Sequence, residues 1–140
     1  MKRVLFLCVH NSARSQMAEA YLNRLGEGNY KAESAGLEPG KLNRFVVLAL
    51  AEDGIDISGK APRDVFSLYK EGKTYDIVVT VCSKEAAERC PIFPGNAEKL
   101  HWPFDDPSTF TGSDEKIMAK VRIVRDQIKE AIKEFIASDN

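Results

Sequence analysis

The sequence predicts an α/β fold, with a parallel sheet and helices packed on both of its faces. Three observations predict it. Short apolar, β-branched runs alternate along the chain with longer stretches of helical period. Near the C-terminus, Ile117, Val121, Val124, Ile128, Ile132 and Phe135 recur at spacings of three and four, an amphipathic face suited to cover a sheet. With 140 residues and 44% hydrophobic content, residues 1–140 have the size and apolar supply of a single domain with its own core.

Each element has its own signal. Val4-Leu5-Phe6-Leu7 is the buried centre of a first strand over 3–7. Residues 13–25 read as a helix that ends at Gly26, and 30–34 as a second strand followed by Ala35-Gly36. A helix is expected over 42–53, with Gly54 just past its end, where a left-handed cap favours glycine. A shorter helix is expected over 62–69. Ile77-Val78-Val79-Thr80-Val81 is apolar apart from Thr80 and marks the clearest internal strand, over 76–81. A fourth strand is expected at 98–102 and the final helix over 113–137. No repeat, linker or low-complexity segment interrupts the series.

Composition narrows the function. A net charge of −1 gives no reason to expect nucleic acid or an anionic membrane as partner. Lys2 and Arg3 precede an apolar run that His10 and Asn11 cut short, too brief for a signal-peptide core or a transmembrane helix. A cytoplasmic protein is expected. Three cysteines are an odd number for a disulfide framework. No paired Cys/His spacing suggests a bound metal, and no Gly-rich dinucleotide motif or flavin site is evident.

Chemistry concentrates where open α/β sheets bind ligands, beyond the carboxyl ends of the strands. Cys8 ends the first strand and Cys82 follows the third. His101 and Trp102 end the fourth and lead into the acidic loop Asp105-Asp106-Pro107. After Cys8 come Val9, His10, Asn11, Ser12, Ala13, Arg14 and Ser15. Backbone N–H groups of such a loop, with a helix N-terminus behind them, make a site of positive potential for a tetrahedral oxyanion. The same field favours the thiolate of Cys8 as a nucleophile. Arg14 can grip two anion oxygens in a fork.

The run Cys8-Val9-His10-Asn11-Ser12-Ala13-Arg14-Ser15-Gln16-Met17-Ala18-Glu19 resembles the phosphate loop of low-molecular-weight protein tyrosine phosphatases, and within them that of the thioredoxin-coupled arsenate reductases. The resemblance covers nearly the whole chain. It implies a four-stranded parallel sheet, and it implies that Asp106, the Asp of an Asp-Pro pair, is the general acid that protonates the departing oxygen. It also implies a thiol relay. Cys8 attacks arsenic, Cys82 attacks Cys8 and releases arsenite, and Cys90 moves the disulfide to Cys82–Cys90 for an external dithiol to reduce. Asn11 is expected to shape the loop and Ser15 to donate to the Cys8 thiolate. Asn11, Glu19, Ser34 and Asp64 match a set that binds potassium in some members.

Three departures stand out. Seven residues separate Cys82 from Cys90, where six are common in the family. Ala13 stands where another, non-relay cysteine is frequent, and His10 replaces a loop glycine.

The sequence therefore reads as a monomeric arsenate reductase with no tightly bound cofactor. It would act on arsenate and related oxyanions and be regenerated by thioredoxin or a similar dithiol protein. The alternative is a phosphatase that hydrolyses phosphotyrosine through a phosphocysteine. Such enzymes carry tyrosines directly after the Asp-Pro pair, whereas Ser108 and Thr109 follow here and Phe110 is the nearest aromatic.

Overall fold

A computed structural model describes residues 1–139. Four parallel strands form one sheet: β1 (Lys2–Cys8), β2 (Tyr30–Gly36), β3 (Ile77–Thr80) and β4 (Glu98–His101), in spatial order β2-β1-β3-β4. The chain steps from β1 to β2 on one side, then returns across β1 to lay β3 on the other. The reversal leaves a crevice where β1 and β3 end side by side, the topological switch point that binds ligands in open α/β sheets.

Burial on both faces explains the continuous apolar run of β1. Val4, Leu5 and Phe6 are fully buried and Leu7 is 1% exposed. Phe6 faces Trp102, which in turn meets Phe135 edge-on, with ring centroids 6.0 and 5.7 Å apart. Phe135 belongs to the long helix α5 (Asp114–Asp139), which packs with α1 (Arg14–Leu25) and α2 (Arg44–Glu52). On the opposite face Tyr75, Phe93 and Tyr69 stack edge to face, and Tyr75 Oη donates to Glu33 Oε2 at 2.7 Å. Two short helices, α3 (Val65–Lys70) and α4 (Lys84–Ala87), complete the connections. Among the described residues no helix is long and apolar enough to cross a membrane.

Where element ends differ from expectation, side-chain caps set them. α2 opens at Arg44 rather than at residue 42, because Asn43 Oδ1 accepts from Phe45 N–H and Val46 N–H at 2.9 and 3.2 Å. α3 opens at Val65 because Asp64 Oδ1 accepts from Phe66 N–H at 2.9 Å. β3 is shorter than 76–81 as a strand, yet its ladder runs on: Asp76 N–H donates to Arg3 O and Val81 N–H to Leu7 O.

Candidate active site

The loop between Cys8 and Arg14 is shaped by the segment that follows β2. Leu37, Glu38, Gly40 and Asn43 donate their N–H groups to the carbonyls of Cys8, Val9, His10 and Ser12, at 3.2, 2.8, 3.0 and 2.9 Å. With these carbonyls tied outward, the loop amides are left to gather around an anion. Behind them α1 begins with Ala13 as its N-cap, which offers no side-chain cap to the first amides. Those amides remain available to a ligand. The departure at Ala13 thus leaves the helix terminus open.

Asn11 organises the thiol. It is the non-glycine residue with positive φ, 52°, and it is completely buried. Its N–H donates to Cys8 Sγ at 3.1 Å. Its side-chain Nδ2 donates to Ser15 Oγ at 2.7 Å, and Ser15 Oγ lies 2.8 Å from Cys8 Sγ. Ser15 accepts from Asn11 and keeps its own proton to donate, so a thiolate at Cys8 would meet two donors. The strained backbone is held from two sides. Gln16 Nε2 donates to Asn11 O and Oδ1, both at 3.2 Å, and Arg63 N–H donates to Oδ1 at 2.8 Å. Sequence reasoning missed Gln16 and Arg63, since neither side-chain type signals this contact.

Arg14 is 7% exposed and closes the pocket. Its Nη1 donates to Val81 O and Phe104 O, each at 3.2 Å, and its Nη2 lies 3.4 Å from Asp106 Oδ2. Its buried Nε has no partner among the described residues, an orphaned donor in a pocket walled by Cys8, His10, Ser12, Ala13 and Asp106. Asp106 is fixed by its other oxygen: Oδ1 accepts from Ser108 N–H at 3.0 Å and caps a short 3-10 turn, Pro107–Thr109. Asp106 itself therefore makes the turn. Trp102 is a half-buried ring packed between Phe6 and Phe135, and His101 Nδ1 lies 2.7 Å from Thr80 Oγ1.

The three cysteines are free thiols. β1 and β3 pair in register from Val4↔Ile77 to Leu7↔Thr80, so Cys8 and Cys82 leave neighbouring strands into the same crevice. Cys82 is 1% exposed. Burial and the negative sulfur of Cys8 push its thiol up, and Arg14 opposes them. Cys90 is half-buried after α4. Its thiol is pushed up to about 11, by burial first and by the charge of Cys82 second.

Of the four residues matched to a potassium set, Asn11, Asp64 and Glu19 carry hydrogen bonds on their side-chain oxygens. Asn11 Oδ1 already accepts two N–H donors. Asp64 uses Oδ1 on Phe66 N–H and Oδ2 on Ser67 Oγ. Glu19 Oε1 accepts from Ser34 Oγ at 3.1 Å, and Glu19 Oε2 accepts from Lys60 Nζ at 2.6 Å. The Lys60 ammonium thus stands on the Glu19 carboxylate, where a metal cation would otherwise supply the charge. Among the described residues, no cluster of three or more His, Cys, Asp or Glu could hold one.

The sequence pattern of the low molecular weight phosphotyrosine protein phosphatase family matches residues 3–139. An arsenate reductase of Bacillus subtilis is 40% identical over 134 residues, which are 96% of this chain and 94% of the relative. A solved arsenate reductase in its oxidized state superposes with a TM-score of 0.81 at 30% identity, covering 100% of each chain. A thioredoxin-dependent arsenate reductase of Corynebacterium glutamicum superposes with a TM-score of 0.76 at 29% identity, spanning 99% of this chain and 61% of that one. Loop, arginine, strand-end thiols and full-length similarity lead to one assignment: the chain belongs to the low molecular weight phosphotyrosine protein phosphatase family, in its arsenate reductase branch.

Proposed function

We propose that this protein reduces arsenate to arsenite with its own three thiols and is regenerated by thioredoxin or a similar external dithiol. The observation that carries this reading is the placement of Cys8 and Cys82 at the ends of paired strands, with Arg14 bonded to Val81 O between them. A phosphatase needs only the first sulfur.

Loop amides 9–15, the α1 terminus and Arg14 hold the oxyanion. Cys8 Sγ attacks arsenic, and one arsenic oxygen leaves as water with a proton from Asp106. Cys82 Sγ then attacks Cys8 Sγ. The S–As electron pair passes to arsenic, which leaves as arsenite, and a Cys8–Cys82 disulfide forms. Arsenic gains two electrons as two thiols become one disulfide. Cys90 attacks Cys82 Sγ, frees Cys8 and carries the disulfide outward. The protein works as a monomer in the cytoplasm, and no nucleic acid or membrane enters the cycle.

The test is arsenate turnover with thioredoxin, thioredoxin reductase and NADPH, beside hydrolysis of an aryl phosphate. Arsenate-dependent NADPH oxidation that is lost in Cys82→Ser, with any aryl phosphatase activity kept, is expected. Undiminished arsenate reduction in Cys82→Ser sinks the relay and moves the assignment to a phosphatase.

A further inference from the structure

We propose that Lys60 is a built-in substitute for a monovalent metal cation behind the oxyanion loop, so that the fold of this site is indifferent to potassium. Glu19 sits on α1, 4% exposed, and a carboxylate buried to that degree requires a compensating charge. Lys60 Nζ supplies it at 2.6 Å, and Ser34 Oγ takes the other oxygen at 3.1 Å. An ammonium and a potassium ion carry the same charge, but the ammonium arrives on the chain and needs no coordination shell. Backbone and side-chain donors also stand on the other oxygens of the matched set, at Asn11 and at Asp64.

The position of Lys60 links this charge to the loop. Lys60 lies in the connection between α2 and α3, three residues before Arg63. Arg63 N–H donates to Asn11 Oδ1, and Arg63 O accepts from Gly36 N–H at 2.8 Å. The Lys60–Glu19 pair therefore pins to α1 the same segment that clamps Asn11. Lys60 is a positioning residue; it acts through that segment, and it touches neither the thiol nor the anion pocket.

The experiment compares melting temperatures of the full chain in KCl, NaCl and choline chloride at equal ionic strength, a readout independent of arsenate chemistry. Wild type is expected to melt within about 1 °C in all three salts, whereas Lys60→Met in choline melts lower by about 3 °C or more. KCl should recover at least half of that loss, because the vacated Glu19 and Ser34 oxygens then accept a metal ion. Glu19→Gln combined with Lys60→Met removes both charges, and should regain the melting temperature in choline with no response to potassium. Alkylation of Cys8 by iodoacetamide should follow the same order, slowed in Lys60→Met in choline and restored by KCl. A potassium-specific rise in wild type overturns the proposal, as does a Lys60→Met variant that melts like wild type. A loss of stability or of fold in Lys60→Met that KCl fails to reverse overturns it too.

Discussion

Gly36 ends β2 at the point where the oxyanion loop crosses it. A Cβ placed there would lie 2.7 Å from Val9 O, 2.8 Å from Asn11 N and 3.0 Å from His10 C, all backbone atoms. Nothing flexible can yield, and the other side of Gly36 is held by its N–H bond to Arg63 O. In Gly36→Ala, easing these approaches to an ordinary contact of about 3.5 Å requires nearly 1 Å of loop movement. Overpacking of this kind costs about 1–3 kcal/mol, which in a domain of this size lowers the melting temperature by about 3–10 °C. The displaced atoms include the Asn11 N–H that bonds Cys8 Sγ. A misplacement near 1 Å costs about 100-fold in rate, so kcat/KM for arsenate in the thioredoxin-coupled assay should fall by that order. Gly59→Ala is the control, since a Cβ at Gly59 meets nothing within 4 Å. If Gly36→Ala kept kcat/KM within about twofold of Gly59→Ala, the loop would not be held by this crossing and the reasoning would fail.

Other outcomes follow from the same geometry. Cys90→Ser should stall arsenate turnover with a Cys8–Cys82 disulfide, located by mass spectrometry of peptides; a Cys8–Cys82 bond that fails to accumulate there would exclude Cys90 from the relay. Arg14→Lys should lose about 100-fold or more in kcat/KM, because a point charge cannot reproduce the fork of donors now spread over Val81 O, Phe104 O and Asp106; near-normal oxyanion affinity would contradict this. Alkylation of Cys90 in a Cys8→Ser background should still be accelerating at pH 10, since burial pushes this thiol up to about 11; a plateau near pH 8 would refute the assignment. Arg122 and then Arg125 hold the Glu52 carboxylate down to about 2, so the pair stabilises above the ordinary value of 4.5 and is lost as pH falls toward 2. Glu52→Gln should accordingly melt below wild type at pH 7 and match it near pH 2.

Patterns with a short period were legible in the sequence. Val4–Leu7 and Ile77–Val81 declared themselves as strands, and α5 followed from one face of apolar residues at helical spacing. Cys8, Arg14 and Ser15 were legible because their spacing fixes their chemistry on a strand–loop–helix unit. What remained hidden depends on contacts distant in sequence. The segment that ties the loop carbonyls outward lies 25 or more residues away, as the pairs Cys8–Leu37 and Ser12–Asn43 show; no local pattern encodes it. Gly36 was visible only as a residue after a strand, and its necessity comes from the loop crossing it. Asp64 also caps α3 through Phe66 N–H, a role its residue type alone does not distinguish from that of an ion ligand. Lys60 carried no signal until Glu19 was found buried beside it.

The three thiols differ in a way that orders the proposed cycle. Cys8 alone among them has both a backbone N–H donated to its sulfur and a hydroxyl within hydrogen-bond distance of it. Cys82 and Cys90 are both pushed up by burial, and each carries a further upward push from a sulfur deeper in the crevice, Cys8 on Cys82 and Cys82 on Cys90. The second and third thiols are thus held protonated and unreactive until the sulfur before each of them has reacted. Once the Cys8 sulfur is bonded to arsenic, its charge has moved to oxygens that Arg14 and the loop amides hold. The push on Cys82 is then relieved, and the downward pull of Arg14 on Cys82 remains. The attack on arsenic thereby prepares the thiol that must act next, and bonding at Cys82 relieves Cys90 in turn. Alkylating Cys8 reproduces the first of these steps without arsenic. A Cys8-alkylated protein should show Cys82 titrating lower than in the untreated protein, read from the pH profile of its labelling. An unchanged profile would show that the thiols do not hand activation from one to the next.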